Sequence, residues 1–339
     1  MSSVKIALHL LQDSDIEKML NKDIMMPFQF DKADTVELCR YNLWKSIEKK
    51  VVKKLPLLPP SLPTEVAKFI RPMYYEVIIW LGEHDLLPEK RKGICISFMS
   101  WLCWKSNGMI DRVETAKKFV QTGSVDIRDR FIVACNYCLK DEILGLWDTM
   151  KKVGINITSR RRINSAVRLW MNLLKEGNTE LMNEMIEEYF RIKCFAKSEI
   201  PLRLSSYFRY LPLKCRQDYF AVLCCGPLHK DDLYLCLFQM DERERMELFQ
   251  KMPALIVARC LEWPFQPLFI KMANEVSRYL TLADFKEIFR LMLLYSYIQF
   301  GCDYYELSTE FESIVPDSYK DEIIDKYIES MRKCSRLFK

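Results

Sequence analysis

The sequence predicts an all-α protein built from stacked helix pairs, an α-solenoid-like array, and three observations carry that reading. Apolar residues recur at spacings of three and four along most of the chain, as expected when each helix buries one stripe. Glycine, which tight hairpins consume, occurs only nine times in 339 residues. From Asn107 to Met150 helix starts and stops alternate at short intervals.

Residues 1–54 hold the apolar segment Val4 to Leu11, a charged segment from Asp13 to Asp23, and a helix over DTVELCRYNLWKSIEKKVVKK. In that helix Val36, Cys39 or Arg40, Leu43, Ile47 and Val51 repeat at helical spacing. Pro56, Pro59 and Pro60 exclude a continuous helix from Leu55 to Pro60. The main boundary is therefore placed there, giving an N-terminal helical segment (1–54), a proline-rich linker (55–62) and a helical repeat domain (63–339). Pro63 suits the first turn of a helix through Val66, Phe69, Ile70 and Met73, which Pro72 should kink or break.

From Glu76 to Trp104 two further apolar segments flank the charged turn PEKRKG, and Trp80, Trp101 and Trp104 are expected to fill core or groove. Asp111 with Glu114 then forms a capping-box-like start, followed by Val113, Ala116 and Val120 and a stop at Thr122-Gly123. Ser124 or Asp126 caps the next segment, whose stripe is Ile127, Phe131, Ala134 and Cys138. After a turn near Lys140, Asp141 caps a third, with Ile143, Leu146, Trp147, Met150 and Val153 on one face.

Thr158 or Ser159 opens a helix that buries Ile163, Val167, Trp170 and Leu174. Arg160, Arg161 and Arg162 stand in its first turn, the end where positive charge opposes the helix dipole. They are either solvated or held out for a ligand. Asn178 starts a helix with Leu181, Met185, Tyr189 and Ile192 on one face. Helical periodicity continues from Asp241 to Met252, Pro264 to Leu280, Leu282 to Phe300 and Pro316 to Phe338. The last of these is expected to bury Tyr319, Ile323, Tyr327 and Met331.

Two internal comparisons suggest repetition. FIVACNYCLKDEILGL, from Phe131, aligns with AVLCCGPLHKDDLYLC, from Ala221, at an offset of 90. Cys138-Leu139 with Leu146 and Met150 aligns with Cys260-Leu261, Leu268 and Met272 at an offset of 122. Both offsets are near multiples of about 30, close to helix-pair repeat lengths, and such pairs bury their stripes only against neighbours.

Three resemblances add expectations. Ala134-Cys135 followed by Asp141, Glu142, Ile143 and Leu146 is similar to an ankyrin helix pair, with Cys138 where that family has Gly; this implies helix-pair stacking and no binding residue. Ile110-Asp111, Thr115-Ala116, Arg130-Phe131, Ala134-Cys135, Tyr137-Cys138 and Leu146-Trp147 together resemble a pattern of arthropod helical proteins, which implies no activity. Leu38, Cys39, Arg40 and Leu43, with Leu62, Pro63, Val66, Phe69 and Ile70, resemble a SOCS box. That likeness implies elongin and cullin partners for an adaptor of a ubiquitin ligase. Thr35 stands where the box has leucine.

Composition narrows the remaining classes. Fifty-one basic against 46 acidic residues leave a net charge of +5 over the whole chain, short of what a dedicated nucleic-acid binder carries. An RNA-binding helical repeat would need Arg160 to Arg162 and Lys90 to Lys92 on one concave surface. Thirteen cysteines, an odd number without regular spacing, read as reduced core thiols of a cytoplasmic protein. No apolar run approaches the roughly 20 residues of a membrane span.

Cys135-x-x-Cys138 is a single pair, and Cys224-Cys225 with His229 is no stronger, so no metal site is expected. Neither a Gly-rich phosphate loop nor a nucleophile elbow is present, and no catalytic residue or cofactor is expected. The leading expectation is a non-enzymatic scaffold that binds another protein along a helical groove.

Overall fold

The computed structural model describes residues 3–25, 33–59, 61–84, 101–157, 164–176, 203–205, 208–225, 230–298 and 304–323, together with Tyr327 and Ser330. Among them are sixteen α-helices and no β-strand. The chain divides into two compact units, Met1–Arg162 and Ile163–Lys339.

Unit 1 begins with α1 (Ser3–Leu11), α2 (Ser14–Met25), α3 (Ala33–Lys53) and α4 (Ser61–Glu83). Asp13 starts α2 by accepting from the N–H groups of Asp15 and Ile16, and Lys54 at the far end of α3 donates to it at 2.7 Å. α4 packs on both α1 and α3, so the segment from Leu55 to Pro59 joins two helices of one unit. Trp44, Ile47, Val66, Ile70, Met73 and Trp80 form the buried seam. Of the kink or break expected at Pro72, the break does not occur, since α4 continues through it. An interior proline costs about 3 kcal/mol or more; burial of Ile70, Met73, Tyr74 and Val77 on either side outweighs it.

A loop precedes the central helices, with Trp104 and Ile110 bridged and Gly108 turning at φ 87°. α5 (Arg112–Gln121), α6 (Ile127–Asn136) and α7 (Lys140–Val153) follow, each packed on the next. Asp111 caps α5 through the N–H of Glu114, and Asp126 caps α6 through that of Arg128, as local chemistry predicts. Asp141 does not cap α7: the N-cap is Leu139, whose side chain makes no capping bond, and Asp141 lies inside the first turn.

The stripes also need correction. On α5 the buried residues are Arg112, Thr115, Ala116, Phe119 and Val120, with Val113 half-buried. Val153 is 68% exposed, because α7 ends there and turns away at Gly154. Cys138 is not in α6. It sits past the helix end at φ 51°, where Cys138 and Leu139 donate back to the carbonyls of Cys135 and Ala134. This is a Schellman stop with cysteine in the left-handed position; Gly154 ends α7 in the same way, with Ile155 donating to Met150.

Unit 2 holds α8 (Ser165–Glu176), α9 (Leu213–Cys225), α10 (Lys230–Gln239), α11 (Glu242–Lys251) and α12 (Pro253–Arg259). It continues with α13 (Phe269–Val276), α14 (Leu282–Ile298), α15 (Tyr304–Glu312) and α16 (Asp317–Ile323). α8 begins later than Thr158 or Ser159 would place it, because Asn164 caps it through the N–H of Val167. Val167 and Trp170 are buried as expected, whereas Leu174 is half-buried and Leu173 takes the inner position.

α9 packs on α10 and α12, α12 on α11, α13 and α14, and α14 on α15 and α16. Phe269, Phe285, Phe289 and Phe311 interlock at the centre of the last four helices. Ile323 is buried, while Tyr319 and Tyr327 are only half-buried; Met331 and the helix expected from Asn178 lie outside the described residues.

The repeat at offset 90 has a structural counterpart, since Lys140 and Lys230 each open the second helix of a packed pair, with Ile143 and Leu233 both buried. The offset of 122 does not. Leu146 is inside α7, but Leu268 ends a short 3-10 turn and is exposed.

Candidate functional site

The residues marked by the sequence are dispersed. Leu38 and Cys39 lie in α3, but their side chains fall outside the described residues; Leu43 and Leu62 are half-buried and Pro63 is buried. α3 and α4 pack together, so both halves of the SOCS-box-like pattern share one helix pair, with Val66 and Ile70 in the core of unit 1. Arg160, Arg161, Arg162 and Lys90 to Lys92 lie outside the described residues, as does His229. Among the described residues no group of three or more His, Cys, Asp or Glu could hold a metal ion, and no helix is long and apolar enough to cross a membrane.

What the sequence did not single out is an exposed apolar face on the α9–α10 pair. Phe238 is 75% exposed and Leu235 46%, three residues apart and therefore on one face of α10, while Lys214 and Asp218 of α9 are exposed as well. Leu213 at the start of α9 and Tyr210, in the short 3-10 turn Phe208–Tyr210 that packs on α10, are also exposed. The period alone gave no warning, because α10 reads KDDLYLCLFQ, apolar nearly all round. Its inner residues Leu233, Tyr234, Cys236 and Leu237 are buried.

Beneath that surface lies a polar cluster. Arg203 places Nη2 2.7 Å from Asp231 and Nε 3.2 Å from Asp232, and all three side chains are buried. Tyr219 of α9 donates its hydroxyl to Asp232 at 3.0 Å and accepts the N–H of Leu204 at 3.0 Å. Asp231 and Asp232 occupy the first turn of α10, where the helix dipole favours negative charge. Burial pushes the Asp232 carboxyl up to about 6 although Arg203 opposes it, and burial with Asp232 beside it also pushes the Tyr219 phenol well up. α9 is tied onward to α11 by Arg216 with Glu244 at 2.6 Å and Gln217 with Glu247 at 3.2 Å.

Unit 1 has its own enclosed polar contacts. Arg112 meets Glu76 at 2.9 Å, and Arg71 lies over the rings of Trp44 and Tyr75. His84 is buried, with Nδ1 2.6 Å from the carbonyl of Trp80 and its ring stacked 5.6 Å from Tyr137. Both sets join residues that are distant in sequence, Arg112 with Glu76 and Arg203 with Asp231 and Asp232. Neither a family model, nor a curated protein, nor a solved structure matches this chain.

Proposed function

We propose that the chain is a non-enzymatic scaffold that binds another protein, its helix pairs stacking as an α-solenoid-like array. The observation that carries this reading is the exposure of Phe238 and Leu235 on one face of α10. An exposed aromatic beside an exposed leucine leaves adjoining apolar area in water, and contiguous apolar area of this kind marks interaction surfaces. Two features support the repeat architecture: the correspondence of α6–α7 with α9–α10, and the packing of most helices on close neighbours in the chain.

The test is affinity capture followed by mass spectrometry, comparing the wild type with the double variant Leu235→Ser, Phe238→Ser. A partner retained by the wild type and lost from the double variant, with the melting temperature unchanged, is the expected result. An identical captured set overturns the assignment of this face. Elongins captured by the wild type and lost on Cys39→Asp would instead make the chain a ligase adaptor acting through α3.

A further inference from the structure

Leu57 stands in the turn between α3 and α4 and is 96% exposed, more than any other large apolar side chain among the described residues. Pro56 and Pro59 on either side of it are exposed too. In the last turn of α3, Val52 is 40% exposed between Lys49 and Lys53, which are also exposed. At i, i+3 and i+4 these three side chains share one face of the helix end that leads into the turn. Lys50 and Lys54 are held by Asp15 at 3.1 Å and Asp13 at 2.7 Å. From Lys49 to Thr64, between Glu48 and Glu65, the sequence carries four lysines and no acidic residue. The turn also uses its own backbone donors: Leu55 donates to the Val52 carbonyl at 3.1 Å and Leu58 to that of Leu55 at 3.3 Å. Pro56 and Pro59 have no N–H, so four of the five residues from Leu55 to Pro59 present no open backbone donor.

We propose that this turn is a membrane-surface anchor: Leu57, with Pro56 and Pro59 beside it, enters the headgroup region of an anionic bilayer, and Lys49 and Lys53 meet the lipid charges. The leucine gains by leaving water, and the lysines gain from the negative potential at such a surface. Backbone N–H groups left without a partner resist entry into an apolar layer, and here nearly all are used or absent. That property favours a bilayer over a protein groove as the occupant, since a bilayer interior offers a loop no hydrogen-bond partners. The attachment is weak and reversible, as expected of one apolar tip with two cations beside it. It is independent of the exposed face of α10.

Co-sedimentation of the full chain with vesicles of equal parts phosphatidylcholine and phosphatidylserine tests this, with vesicles of phosphatidylcholine alone as the uncharged control. The wild type should sediment with the anionic vesicles, more weakly with the neutral ones, and be released as salt is raised. Leu57→Ser should lower partitioning about tenfold at an unchanged melting temperature. Lys49→Gln combined with Lys53→Gln should also lower it about tenfold, and only on the anionic vesicles. Leu57→Trp should raise it, a gain that no folding defect produces. Absence of wild-type sedimentation with anionic vesicles, or equal sedimentation of the wild type and Leu57→Ser, overturns the anchor. Release by inorganic phosphate where chloride of the same ionic strength has no effect would make the lysines a site for free phosphate, and it overturns the bilayer as occupant.

Discussion

Arg112 sets Nη1 2.9 Å from Oε2 of Glu76 with both side chains sealed from solvent, joining α5 to α4 across 36 positions of sequence. Removing one member of a buried ion pair costs about 3–5 kcal/mol, while replacing both with apolar residues of similar volume costs far less. Glu76→Ala should therefore destabilise the protein strongly, and Glu76→Leu combined with Arg112→Met only mildly. Urea unfolding checks this. Additive single and double effects would mean that the two side chains do not act as a pair.

Cys138 adopts the left-handed conformation without being glycine. The Cβ strain there is about 1–2 kcal/mol, of which the greater chain entropy of an unfolded glycine takes back about 0.5–1 kcal/mol. Cys138→Ala keeps the strain and loses the sulfur, whereas Cys138→Gly relieves it. The smaller residue should thus give the more stable protein, by up to about 1 kcal/mol in thermal or denaturant unfolding. Gly154→Ala should cost about 1 kcal/mol through backbone strain alone, since an added Cβ meets nothing within 4 Å.

Phe131 is fully buried, whereas its neighbour Trp147 is half-buried, stacked on it at 5.7 Å with the Lys151 ammonium 5.3 Å from the indole ring. Phe131→Ala and Trp170→Ala should each cost about 3–5 kcal/mol through lost burial and a residual cavity. Trp147→Ala should cost clearly less. A calorimetric melt in which Trp147→Ala is the most damaging of the three would contradict this order, and with it the assignment of Phe131 as the inner member of the pair.

Burial pushes the Cys135 thiol well up and the Cys260 thiol up to about 12, the latter despite the Tyr234 hydroxyl 2.8 Å away. Thiolate is the nucleophile in alkylation, so both residues should resist iodoacetamide at neutral pH in the native protein. Half-buried Cys103 should be modified ahead of them. Peptide mapping after brief labelling gives the order, and rapid labelling of Cys135 or Cys260 would show that α6 or α12 opens readily.

The sequence by itself determined the all-α class, the starts of α5 and α11 at Asp111 and Asp241, that of α6 to Ser124 or Asp126, and the stop after α5, because caps and stripes act within one or two helical turns. It also marked the turn between α6 and α7, though not the left-handed Cys138 that makes it. Only the tertiary structure decided that Arg112, in the first turn of α5, is buried on Glu76. Likewise it alone brought Arg203 to Asp231 and Asp232 from 28 and 29 positions away and turned Phe238 outward from a helix with apolar residues on most sides. These outcomes depend on which distant surface covers a residue. Local spacing contains no record of that surface, since an apolar or charged side chain obeys the same period whether its neighbour is water or another helix.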